Sequence, residues 1–300
     1  MSAFLNFRLH IGEDKRSSSD LALRQIIMAA LPATIFTFLL LGGIAVADHA
    51  FSPTIEGMNR LIYSALSPKV VLGVAAHPDD LDFFAGGTMA SFARQGAEVY
   101  YLILTDGGKG SSDPAMTPKH LRDIRRREQR EAAKVLGVKD VFFCDYQDGT
   151  LENTLDVRRD VVKVIRQLKP DVVVTIDPSE LYAARQGVVN HPDHRAAGQA
   201  TLDATYPLAR DHMSFPELLE AGYKPHNTAT LLLIRMEAAA ATFAVDVSEL
   251  QELKFQALAA HASQFNDLDY MKQWSREICA VAGNPYGYAY AEPFVRIDIK

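Results

Sequence analysis

Val70-Val71-Leu72-Gly73-Val74-Ala75-Ala76, followed at once by His77-Pro78-Asp79-Asp80, is the stretch that decides the fold. A short, unbroken apolar run of this kind forms a strand buried on both faces, as in a parallel sheet covered by helices. Pro78 lacks an N–H and fixes φ near the helical value, which suits the first position of a helix starting just after the strand. His77 is then expected at the strand's carboxyl end. Asp79 and Asp80 are expected in the first helical turn, where the macrodipole favours negative charge. Open α/β sheets bind ligands outside the carboxyl ends of their strands, so this junction is a place for chemistry.

The same alternation continues outward. Strands are expected at about 70–76, 98–104, 140–144 and 171–176, with helices at about 82–95, 119–136, 155–168 and 192–205. Short strands near 228–235 and 293–299 extend the sheet. The expectation is an α/β fold: a Rossmann-like, mostly parallel sheet with helices on both faces, forming a single catalytic domain over residues 70–300. With 300 residues, 48% of them hydrophobic and 23% charged, the chain can bury a large core and does not read as disordered. A net charge of −6 offers no basic field to gather phosphates, so no nucleic-acid partner is expected.

A near-copy of the tetrapeptide recurs as His191-Pro192-Asp193-His194, after a loop that follows the strand ending at Ile176. Each copy places a His and a second metal-competent side chain at i and i+3, on one face of a helical turn, so each can grip one ion from one side. Catalytic zinc sites usually take three protein ligands and leave a position for water. His77, Asp80 and His194 are assigned as those ligands. Asp79 points to another side of the turn and is free to act as general base on the metal-activated water. His191, as imidazolium, is placed to stabilise an oxyanion or to protonate a departing amine, and Asp193 to orient an imidazole. A mixed His/Asp site also accepts iron, manganese or cobalt. The inferred reaction is hydrolysis of an amide or ester carbonyl.

Further segments join these two: Ala76 to Asp80, Gly86-Gly87-Thr88, Thr105-Asp106-Gly107-Gly108-Lys109-Gly110, Arg125 to Glu128 leading into Leu136-Gly137-Val138, and Asp148-Gly149. In this order, and with His191 to His194, they resemble the PIG-L/LmbE family of metal-dependent N-deacetylases. The likeness extends to His261-Ala262-Ser263-Gln264 and Ala291-Glu292-Pro293-Phe294. The resemblance implies zinc on His77, Asp80 and His194, Asp79 as base and His191 as electrophilic helper, with an N-acetylglucosamine-type sugar or glycoconjugate as substrate. Arg125, aligned with the family's Arg-x-x-Glu, is expected to reach a substrate hydroxyl or phosphate.

Two departures stand out. Many members carry an acidic residue directly after the second Asp, where this chain has Leu81 and then Asp82. Some place a Tyr two residues before the second motif, where this chain has Val189; Tyr182 on the same loop could reach in instead. An amidase or esterase releasing a larger acyl group, and a non-catalytic carbohydrate-binding protein, remain as alternatives.

Gly107-Gly108-Lys109-Gly110-Ser111-Ser112 is not a P-loop, because Ile103 stands where the first glycine belongs and Gly110 separates lysine from serine. It is expected to be a flexible wall of the active site, with Lys109 as a substrate contact. Neither a dinucleotide fingerprint after the first strand nor a serine-hydrolase elbow occurs. Residues 26–47 carry no charge and end in Ala45-Val46-Ala47, so residues 1–47 read as a signal peptide or an N-terminal membrane anchor, with 48–69 as a spacer. That reading favours export and membrane association through 26–47. Pro32, the glycines and the acidic residues upstream speak for the cytoplasmic alternative. A disulfide between the two cysteines, Cys144 and Cys279, is open.

Overall fold

The structure is a computed structural model that describes residues 66–300. The expected leader or anchor, and the spacer up to residue 65, lie outside the described residues. Among the described residues, no helix is long and apolar enough to cross a membrane.

A seven-stranded sheet runs in the order β3-β2-β1-β4-β7-β9-β8. Its strands are β1 (Val70–Ala75), β2 (Glu98–Thr105), β3 (Asp140–Tyr146), β4 (Val172–Ile176), β7 (Thr230–Ile234), β8 (Phe243–Asp246) and β9 (Ala291–Asp298). β1 to β4 and β7 are parallel, and β9 pairs antiparallel with both β7 and β8. The helices are α1 (Asp80–Arg94), α2 (Pro118–Leu136), α3 (Leu155–Leu168), α4 (Pro192–Asp203), α5 (Pro216–Glu220), α6 (Gln251–Ala259) and α7 (Leu268–Gly283). A small hairpin of β5 (Tyr182–Ala183) and β6 (Val188–Val189) rides between β4 and α4.

The strand residues alternate between two cores, as the period of two requires. Val71 and Ala75 of β1 pack with Leu81, Met89 and Phe92 of α1 and with Ala133 and Leu136 of α2. Leu72 and Val74 face the other way, onto Val161 and Ile165 of α3 and Ala197 and Ala200 of α4. Each such buried Val or Leu contributes roughly 1.5–3 kcal/mol. α4 lies close on the sheet because Gly198 has no side chain; a Cβ there would collide with the Ile176 carbonyl. A third cluster joins Phe83, Phe255, Leu258, Phe265 and Met271, with Trp274 against it, and so fastens α6 and α7 to α1.

The order of the strands positions the site. From β1 the chain builds outward through β2 and β3, then returns to lay β4 on β1's other side. That reversal makes a crevice at the carboxyl ends of β1 and β4, where both tetrapeptides arrive. One expectation fails here. Pro78 does not open the first helix; α1 begins at Asp80, because Asp79 turns through φ 99°, ψ −28° before it. The expected disulfide option also closes, since Cys144 on β3 and Cys279 in α7 are both free.

Candidate metal centre and active site

The last residues of β1 and the first turn of α4 meet around Asp80. Its Oδ1 lies 3.0 Å from His194 Nε2, and its Oδ2 lies 3.4 Å from His77 Nδ1 while also accepting the His77 backbone N–H at 2.8 Å. All three side chains are buried. Burial opposes charge on Asp80, but His194 and His77 outweigh it and hold its carboxyl well below the usual range. Burial likewise opposes charge on His77, and Asp80, Asp148 and Asp193 raise its pKa well above the ordinary value.

These residues fit a divalent cation. The candidate ligand atoms of His77, Asp80 and His194 lie within 4.8 Å of one another. His77 Nδ1 and His194 Nε2 are buried without a hydrogen-bond partner, although each is near Asp80. Two buried nitrogens left unsatisfied and converging with a carboxylate are the donor arrangement that a mixed His/Asp ligand set for a cation requires. His77, His191 and Asp193 meet the same spacing. The first set is the better site, because both Asp193 oxygens already accept backbone N–H groups, from Gly149 at 2.6 Å and Leu151 at 3.1 Å.

The distal nitrogens are tied down as metal-binding imidazoles require. His77 Nε2 lies 3.1 Å from Asp148 Oδ1 and 3.3 Å from Asp193 Oδ2. His194 Nδ1 lies 3.1 Å from Asn190 Oδ1, whose own amide donates to the Glu180 carbonyl. Asp193 and Asp148 therefore hold the His77 ring, and Asn190 holds that of His194. The sequence reading gave neither of the last two a role at an imidazole. Asp148-Gly149 stands out in the sequence only as a family-like dipeptide.

Asp79 is fully buried, and neither of its carboxylate oxygens has a hydrogen bond; Arg125 Nη2 lies 3.4 Å from Oδ2. Its backbone sits in a region that costs a non-glycine residue about 1–3 kcal/mol. His191 caps α4, its Nδ1 accepting the Asp193 N–H at 3.2 Å. Burial, together with the neighbouring His77 and His194, pushes its pKa down to about 4. With Nδ1 accepting, a proton on the ring resides on Nε2.

The substrate-contact expectations land in different places. Arg125 is 2% exposed, and its guanidinium donates to the carbonyls of Pro78, Gly107 and Lys109. Lys109 is exposed on the loop after β2; its backbone N–H donates to Asp148, and its ammonium lies beside Gly149. Arg125 and Asp148 thus hold the start of the loop, at Gly107 and Lys109, by hydrogen bonds. Gly107 belongs to it at φ 61°, where a Cβ would meet Pro78 Cδ at 2.9 Å. Tyr182 is 63% exposed and stands directly across the β5–β6 ladder from Val189. Beside His191 and His194 opens a recess of about 20 Å³ lined by Phe84, Val188, Met236, Trp274 and Ile278.

Comparisons with known proteins agree with this geometry. The chain is 32% identical over 249 residues to the diacetylchitobiose deacetylase of Thermococcus kodakarensis, covering 82% of this chain and 90% of that protein. It is 31% identical over 240 residues to the 1D-myo-inositol 2-acetamido-2-deoxy-alpha-D-glucopyranoside deacetylase of Rhodococcus erythropolis, covering 66% and 82%. Among solved structures, N,N′-diacetylchitobiose deacetylase from Pyrococcus horikoshii superposes with a TM-score of 0.72 at 29% identity, over 85% of this chain and 94% of that one. Residues 72–205 match the PIG-L family, GlcNAc-PI de-N-acetylase. Since that match runs from β1 past the end of α4 and encloses both tetrapeptides, and the relatives align over most of their length, the chain belongs to the PIG-L family of deacetylases.

Proposed function

We propose that this protein is a divalent-metal-dependent hydrolase, with zinc as the favoured ion, that removes the N-acetyl group from an N-acetylglucosamine-type sugar or glycoconjugate. The observation that carries this reading is the buried convergence of His77, Asp80 and His194 beside an Asp79 carboxylate with no hydrogen bond of its own. The acetylated-sugar substrates in the relatives' names support the substrate class.

When bound to His77, Asp80 and His194, the cation would lower the pKa of a water molecule and polarise the amide carbonyl. Asp79 accepts the proton of the attacking water on its carboxylate, which has no hydrogen bond and which Arg125 steers from 3.4 Å. His191, with Nδ1 engaged by the Asp193 N–H, donates from Nε2 to the carbonyl oxygen as negative charge develops. The proton held by Asp79 then passes to the departing amine nitrogen. Asp148 and Asp193 keep His77 in one orientation, and Asn190 does the same for His194. The recess beside His191 and His194 presents Phe84, Val188, Met236, Trp274 and Ile278, an apolar surface for the methyl of an acetyl group to meet. Lys109 and Tyr182 remain proposed sugar contacts.

The test is acetate release from N-acetylglucosamine and N,N′-diacetylchitobiose, before chelation, after it, and after zinc is added back. Release that stops and returns with the metal is expected. Metal-loaded protein that frees no acetate, or frees a bulkier acid from acyl-amide analogues in preference, overturns the reading. We also propose that residues 26–47 carry the domain out of the cytoplasm; fractionation of the native cells that leaves the protein in the cytosol overturns that.

A further inference from the structure

Beneath Asp79, three separate parts of the chain meet in one line of hydrogen bonds. The Asp79 backbone N–H donates to Gln129 Oε1 at 2.9 Å, and Gln129 Nε2 donates to Asp82 Oδ2 at 2.7 Å. His261 Nε2 reaches the same carboxylate oxygen at 2.8 Å. Gln129 comes from α2, Asp82 from α1 and His261 from the turn after α6, and all three are fully buried. The glutamine amide has only one workable orientation, because a backbone N–H needs its oxygen and a carboxylate needs its NH2. The turn that brings His261 is itself bolted to α2. Glu128 accepts the Ser263 N–H at 2.8 Å and the Ser263 hydroxyl at 2.6 Å.

What this line holds is one peptide plane. The N–H edge of the Pro78–Asp79 peptide is taken by Gln129, and the C=O edge of the same peptide is taken by Arg125 Nη2 at 2.7 Å. With both edges pinned, the plane cannot rotate, and Asp79 stays at φ 99°, which a free aspartate rarely adopts. Relaxation to negative φ would swing the carboxylate away from where it stands. A fully buried polar network is costly to assemble unless every link is made, so its place under the one strained residue of the site calls for a reason.

We propose that His261, Asp82 and Gln129 are positioning residues, a relay that keeps Asp79 in its positive-φ conformation and so presents its carboxylate to the reaction. The proposal rests on the reading of Asp79 as the base. It also explains the first departure from the family pattern: the carboxylate is needed at position 82, where α1 turns it towards Gln129 and His261, and not at position 81, where Leu81 fills the core. His261 lies beyond the segment 72–205 that matches the family, so the C-terminal part of the chain contributes to the site. Around the relay, burial opposes charge on His261 while Asp82 raises its pKa, and burial together with Asp82 pushes the Tyr101 phenol well up.

The experiment compares Gln129→Leu, His261→Leu and His261→Gln in the full chain. It measures kcat and KM for acetate release, metal stoichiometry, thermal midpoint, and the crystal structure around residue 79. Gln129→Leu and His261→Leu should each lower kcat by about 10–100-fold, with KM and bound metal unchanged. His261→Gln, which keeps an N–H for Asp82, should recover most of the loss. In the Gln129→Leu crystal, φ of Asp79 should move to a negative value. A folded Gln129→Leu with unchanged kcat and unchanged φ overturns the relay, as does a loss of rate that only tracks lost metal. If Gln129→Leu does not fold, the contrast between His261→Leu and His261→Gln decides, and equal rates for the two overturn the proposal. Should the wild type release no acetate at all, the functional reading fails, while the φ of Asp79 in the variants still tests the relay.

Discussion

The two tetrapeptides are near-copies in sequence and opposites in structure. His191 to His194 is a regular helix start: His191 caps, Pro192 takes the first position, and Asp193 and His194 follow in the first turn. His77 to Asp80 is a turn outside the helix, bent by Asp79 at positive φ, with α1 starting only at Asp80. The third residue of each copy shows the consequence. Asp193 accepts two backbone N–H groups and meets His77, so its carboxylate is spent on architecture. Asp79 has its backbone held by Gln129 and its carboxylate left without hydrogen bonds. One motif, in two backbone settings, yields a hydrogen-bonded carboxylate in one place and a carboxylate without hydrogen bonds in the other.

That contrast can be broken in several ways. The largest effect is expected from His194→Ala, which removes a proposed ligand from the second copy; metal analysis should show the ion lost and acetate release at background. Asp79→Asn keeps a residue tolerant of positive φ and should keep the metal, yet turnover should fall about a hundredfold to ten-thousandfold. An Asp79→Asn protein that emptied of metal would make Asp79 a ligand and erase the contrast. Asp193→Ala is expected to cost about 10–100-fold in metal affinity or activity. If Asp193→Ala proved worse for kcat than Asp79→Asn at full metal occupancy, the two roles would be reversed.

Smaller effects sharpen the picture. Gly107→Ala puts a methyl against Pro78 at a positive-φ position and should lower stability by about 1–3 kcal/mol in denaturant titrations. A cost near zero would mean that the wall after β2 does not brace the first copy. Tyr182→Phe should change kcat by less than about tenfold, since the residue stands exposed on the rim of the second copy.

Much of the sheet was readable from residue patterns. β1, β2 and β4 are buried apolar runs, and α2 and α3 carry a Thr cap ahead and a polar outer face, so their boundaries fall within a residue or two of expectation. The β5–β6 hairpin, β8, and the packing of α6 and α7 were not, because two-residue strands and helices held by contacts with α1 leave little local periodicity. Within the site, the convergence of His77, Asp80 and His194 was legible as a pair of spaced motifs. The roles of the supports, namely Asp148, Asn190, Gln129 and His261, were not, since Asp148, Gln129 and His261 act across 47 to 179 residues and Asn190 acts through a side-chain hydrogen bond that spacing alone does not announce.

The amino-acid sequence on its own determined the class of fold, the donor types and the chemistry those donors can perform, because side-chain identity and short-range spacing are local properties. Which carboxylate is left without hydrogen bonds, which is tied, and which way each imidazole faces were decided only by the tertiary structure. The physical reason is the reversal of strand order between β1 and β4. It brings residues more than a hundred positions apart into one buried crevice, where the hydrogen bonds left over after packing distinguish one side chain from another.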